Sequence, residues 1–168
     1  MKIKENKGVT LVALTITIIV LIIIASIAVF SGKETIKKAK LEALRTNMLL
    51  IEAKAKGLVE EANFQLGPEL QKQSEIGTIR ENIYVAENKL QKLSDSGITV
   101  SSGIPTGDNV YVFTQETADL WALKDVYTEL EEDENYIISF DETNATVEIY
   151  NTLGYGGYYS LTDIDKLE

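Results

Sequence analysis

Five carboxylates fall within six positions, Glu129, Glu131, Glu132, Asp133 and Glu134, and clustered oxygens are what a calcium ion takes. The run lacks the alternating D-x-D-G pattern of a calcium loop, and adjacent carboxylates in a row do not converge on one ion. It reads as a solvated acidic face. Gly154-Tyr155-Gly156-Gly157 is rich in glycine but has no following lysine or helix, so it suits a turn rather than a phosphate cradle. Asn144-Ala145-Thr146 matches the acceptor triplet for N-glycosylation, which acts only where the machinery is present. The tyrosines at 150, 155, 158 and 159 gather near the end of the chain, either as a contact patch or as filling between strands. Histidine and cysteine are both absent. That removes the usual base near neutrality, the commonest metal ligand, the thiol nucleophile and every disulfide. Carboxylates alone could still cleave a glycan, but no pair is set out for it. The expectation is a chain that is not an enzyme and holds no cofactor or metal.

Charge narrows the partners. The net charge is −10, and residues 93–168 carry two lysines against sixteen acids. Such a half repels phosphates, so nucleic acid is not expected there. Residues 1–8 and 33–92 are each slightly basic.

The chemistry with a definite address lies at the other end. From Val9 to Phe30 there are 22 uncharged residues, mostly β-branched or leucine, with Thr10, Thr15, Thr17 and Ser26 as the polar exceptions. As a helix this is roughly 33 Å long, enough to span a hydrocarbon core. Lone hydroxyls in such a helix bond back to carbonyls one turn earlier. Ser26-Ile27-Ala28 offers a small-x-small signal-peptidase site, but secretory apolar regions usually run about 7–15 residues. An anchor fits the length better. Lysines flank the segment on both sides (Lys2, Lys4 and Lys7 before; Lys33, Lys37, Lys38 and Lys40 after), so the positive-inside rule leaves orientation open.

The junction Asn6-Lys7-Gly8, followed by Val9-Thr10-Leu11-Val12, resembles the N-terminus of type IV pilins and type II secretion pseudopilins. The resemblance covers residues 1–30 specifically. It implies a leader of residues 1–8, cleavage between Gly8 and Val9 by prepilin peptidase, and N-methylation of Val9. It also implies a cytoplasmic N-terminus and assembly through Val9, Thr10, Leu11, Val12 and Ala13. The implied partners are other pilin-like subunits, membrane lipid and the assembly platform of a pilus or secretion system. The family's first mature residue is usually phenylalanine and its fifth usually glutamate, which pairs with a neighbour's terminal amine; here they are Val9 and Ala13. Chains without that glutamate resemble minor pseudopilins or pilin-like proteins of Gram-positive bacteria. The alternative from another class is an anchored surface protein that binds a ligand and never polymerises.

The remaining elements would position these parts. Leu41, Leu44, Met48, Ile51, Ala55, Leu58 and Ala62 repeat at three and four, which predicts an amphipathic helix over 33–66 with Glu52–Lys56 as a supporting pair. Gly67-Pro68 ends it. A second helix is predicted from Pro68 to about Leu93, with Ile76, Ile79, Ile83, Ala86, Leu90 and Leu93 inward and Ser94–Gly97 as its stop. Residues 97–109 read as loop and Val110–Phe113 as a strand. Thr114 would cap a helix over 115–124 with Leu120, Trp121 and Leu123 on its apolar face, Trp121 being core. Tyr136–Phe140 and Ala145–Tyr150 form a hairpin, Tyr158–Ser160 an edge strand, and Leu161–Leu167 a closing helical turn. The fold class expected is α+β: a long N-terminal helix, transmembrane over 9–32 and amphipathic over 33–66, against a small antiparallel sheet with an extra helix. Residues 67–168 are the exported head.

Overall fold

A computed structural model describes residues 11–66, 73–141 and 146–167, without the side chains of 11–13, 27–31 and 73–75. The protein is α+β. Helix α1 covers Leu11–Leu66, and the chain divides into two compact units, Met1–Lys40 and Leu41–Glu168.

In the second unit, the face of α1 set by the three-four spacing is the buried one. Met48, Ile51, Ala55 and Ala62 are almost fully enclosed, Leu41 and Leu58 nearly so, and Leu44 packs at the margin. Val59 joins them from beside Leu58. The Glu52–Lys56 pair forms on the outer side, at 2.9 Å. Against this face lies a five-stranded antiparallel sheet in the order β1-β2-β3-β4-β5. Its strands are β1 (Gln91–Lys92), β2 (Val110–Val112), β3 (Tyr136–Asp141), β4 (Thr146–Tyr155) and β5 (Tyr158–Ser160). Val147 and Ile149 point inward and Thr146 outward, as period-two alternation requires. The predicted hairpin is present with Ile138 opposite Ile149 and Phe140 opposite Val147. Its connection, including Asn144 and Ala145, lies outside the described residues, as do Gly67 and Pro68.

Both faces of the sheet are covered. Tyr111, Tyr136, Ile138 and Phe140 face the core shared with α1. Val110, Val112 and Ile137 face a second cluster with Leu93 and Ile104. The segment 97–109 is loop, as expected, yet it carries a load: Ile104 is buried, and Ile98 and Val100 pack beside it over the outer face. Alternation in β3 places Ile137 on the side opposite Ile138, so that side also needs an apolar cover.

The second predicted helix is corrected. Helix α2 covers Gln73–Glu81 and passes into a π-helical turn over Asn82–Glu87. Lys89 then takes a left-handed φ of 57°, and 91–92 pair as β1 instead of continuing the helix. A π turn takes in an extra residue and rotates the register. Tyr84 is thereby carried inward beside Ile83, and Ala86, expected inside, is exposed. Tyr84 stacks on Phe140 at 4.2 Å between centroids, with Tyr111 edge-on to both. A short helix α3 (Leu93–Ser96) ends at Gly97, whose φ of 72° is the left-handed cap a glycine supplies.

The helix expected over 115–124 is two. Thr114 caps α4 (Gln115–Leu120), its hydroxyl accepting from the Thr117 N–H at 3.2 Å. Ala122, at φ 57°, breaks the chain into α5 (Lys124–Thr128). Leu120, expected on the apolar face, is instead 56% exposed at the end of α4, whose buried side carries Thr117 and Ala118. Trp121 is core, and its Nε1 donates to Asn88 Oδ1 at 3.0 Å. Helix α6 (Leu161–Ile164) closes the chain under a Ser160 cap.

Candidate assembly surface

In the first unit, nine aliphatic side chains of α1 between Leu14 and Ile24 are each 46–60% exposed. Seven of them occupy consecutive positions from Ile18 to Ile24, so they surround the helix rather than marking one stripe. A helix apolar all round has no face for water, and each such side chain, about half exposed, forgoes roughly half of the about 1.5–3 kcal/mol that complete burial returns. The Ser26 hydroxyl donates to the Ile22 carbonyl at 2.7 Å, the back-bond anticipated from sequence. Among the described residues no helix is long and apolar enough to cross a membrane. The apolar side chains described, Leu14 to Ser26, are fewer than the about 20 residues a bilayer core requires. Gly8, Val9 and Thr10 lie outside the described residues; Leu11, Val12 and Ala13 are helical backbone without described side chains.

Within the second unit the polar groups are occupied in structural work. The acidic run is a turn, with Asp133 at φ 65° and the Glu134 carboxylate accepting from the Glu131 N–H at 2.8 Å. Its other oxygen accepts from Asn151 Nδ2 at 2.6 Å, while Asn151 Oδ1 accepts from the N–H groups of Leu153 and Gly154. Asn151 is fully buried at an inward position of β4, two residues beyond Ile149. Tyr136 bonds both Asn47 of α1 and Asn151, and burial, against those bonds and with Glu134 and Glu129 nearby, pushes its hydroxyl up to about 12. Among the described residues no group of three or more acids is placed to hold a metal ion.

Arg45 ties the chain end to α1. Its Nη2 donates to the carbonyls of Ile164, Asp165 and Leu167, at 3.3, 2.8 and 3.1 Å. Nε lies 3.1 Å from Asp165 Oδ1, an ion pair by distance whose angle is not that of a hydrogen bond. Those carbonyls lie at and just beyond the end of α6, where a cation is suited, and that of Ile164 also accepts from the Leu167 N–H at 3.0 Å. Sequence reading passed over Arg45 and Asn151. The one available signal was a polar residue at the third inward position of β4, after Val147 and Ile149.

The tyrosines divide as both readings allowed. Tyr150 and Tyr159 pack on the outer cluster and Tyr155 on the α1 side, while Tyr158 is exposed at the hairpin tip. A cleft of about 530 Å³ opens beside α3 and the 97–108 loop, and its lining holds one titratable group, Asp108. A second cleft of about 340 Å³ between α1 and β4 is lined by Glu52, Lys56, Glu60 and Glu148. Two of its carboxylates are engaged, Glu52 by Lys56 and Glu148 by the Thr162 N–H and hydroxyl. Compared with protein families, curated proteins and solved structures, the chain matches none.

Proposed function

We propose that this chain is a pilin-like or pseudopilin subunit. Prepilin peptidase cuts between Gly8 and Val9, the apolar helix is held in membrane lipid, and an assembly platform packs it with other pilin-like subunits. The product is a type IV pilus or a secretion or competence pseudopilus. The protein is then a single-pass precursor of the cytoplasmic membrane, N-terminus inside, and afterwards part of a surface fibre. The observation that carries this reading is the run of exposed aliphatic side chains around α1 between Leu14 and Ile24. Such a surface is stable only inside lipid or among other apolar helices, and a fibre subunit meets both in turn. The Lys7-Gly8-Val9-Thr10-Leu11-Val12 junction supplies the processing step.

The test is intact mass and N-terminal peptide mapping of the protein from its own membrane and surface fractions. A start at Val9 with one added methyl is the expected result. A start at Met1 would leave a plain anchored binding protein, and one near Val29 a secreted head; either would overturn the reading.

A further inference from the structure

Immediately after the apolar stretch, Lys33, Ile36, Lys37 and Lys40 recur on α1 at three, one and three, which sets them on one face of the helix. All four are exposed, and Ile36 is 59% exposed at the centre of the set. An aliphatic centre ringed by charge is the build of a docking face rather than of a merely solvated one.

We propose that this face docks on a second copy of the same chain, against the surface made by α4, α5 and the turn after them, with Ile36 seated on Leu120. Charge complementarity selects that occupant. Residues 33–40 carry four lysines and one glutamate, whereas 115–134 carry eight acids and one lysine. Among those acids, Glu116 and Asp119 are exposed on α4, which ends at the exposed Leu120, and Asp125 and Glu129 are exposed on α5 and at its end. Each copy supplies one basic and one acidic face in equal number. An anionic lipid surface would attract the lysines too, but it would repel the acidic half of the chain and would leave Leu120 uncovered. A contact between two different faces of identical chains is heterologous and repeats without closing, which is the geometry of a fibre. Its charges steer and fix register, while the affinity comes from the apolar helices. The inference rests on the assembly reading above.

The chain has no cysteine, so engineered pairs report without background. In the full-length protein in its own membrane, Ile36→Cys with Leu120→Cys is expected to give a covalent ladder of dimers and higher oligomers on mild oxidation. Adding Lys33→Glu and Lys37→Glu should reduce the ladder at least tenfold, and Glu116→Lys with Asp125→Lys should restore it. A separate Leu21→Cys variant, treated with a bis-maleimide, reports assembly through the apolar helix alone. Leu21 cross-links without an Ile36–Leu120 ladder would overturn this contact and leave the assembly reading standing. Absence of both would overturn the two together. Loss on Lys→Glu without restoration would assign the lysines to lipid, and a disulfide confined to the monomer would equally overturn the proposal.

Discussion

Asn151 binds three separate pieces of backbone and side chain from one buried position: the Glu134 carboxylate, the β4 backbone at Leu153 and Gly154, and the Tyr136 hydroxyl. Asn151→Ala leaves two part-buried N–H groups and a carboxylate oxygen without their partner. A loss of about 2–3 kcal/mol is expected, read from urea unfolding of the full chain. Tyr136 adds a dependence on pH with a definite sign. Its folded pKa, about 12, lies above the ordinary value of 10.0, so between those limits the unfolded chain gives up a proton that the folded chain keeps. The stability from this group is complete below pH about 10 and is lost as pH rises through about 12. Tyr136→Phe should flatten that alkaline slope, a difference visible in unfolding midpoints measured across the range. Neither residue announces itself in the sequence. A buried asparagine and an exposed one are spelled alike, and only the alternation of β4 hints at which this is.

Elements were legible where one period ran without interruption. The inward face of α1 from Leu41 to Ala62 follows from spacing alone, as does the β3–β4 hairpin, because each repeats its signal several times. The two errors share a cause. At Asn82–Glu87 a π turn, and at Ala122 a left-handed residue, shift the register within an otherwise periodic stretch, and neither has a composition that marks it. Tyr84 entering in place of Ala86 is the consequence of the first, and the end of α4 at Leu120, short of residue 124, that of the second. Glycines separate the two kinds of element cost. Gly57 sits exposed within α1 with open space where a Cβ would go, so Gly57→Ala should stabilise the fold by about 0.5–1 kcal/mol through helix propensity. Gly154 has φ 62°, and a Cβ there would collide with the Tyr158 carbonyl. Gly154→Ala should cost about 2 kcal/mol or more, since left-handed strain and a backbone clash add. Thermal melting of the two variants beside the parent checks both signs at once.

At the scale of the molecule, burial divides the chain at Leu41. Every described buried residue lies at or beyond Leu41, while the described side chains before it are exposed except at Gly32. The core that pays the entropy of ordering therefore belongs wholly to the unit Leu41–Glu168. This unit holds one helix face, a sheet covered on both sides and the Arg45 tie to α6. A chain starting at Leu41 keeps all of these contacts and should fold by itself, with one cooperative melting transition. It should also be monomeric, because the aliphatic collar from Leu14 to Ile24 is gone and Leu49, Leu50 and Phe64 are the exposed large apolar side chains left on its part of α1. The full chain in detergent should instead be oligomeric, and its melting transition should come from the same unit at a similar temperature. Sedimentation of the two chains beside calorimetry decides it. Oligomers of the short chain would move the association surface into the head, whereas loss of its transition would mean that residues before Leu41 contribute to the core. The sequence made the first unit plain, since an uninterrupted apolar run needs no fold to be recognised. The covering of the outer sheet face by residues 97–109 was not legible, because Ile98, Val100 and Ile104 follow no period and are placed only by the strands they cover.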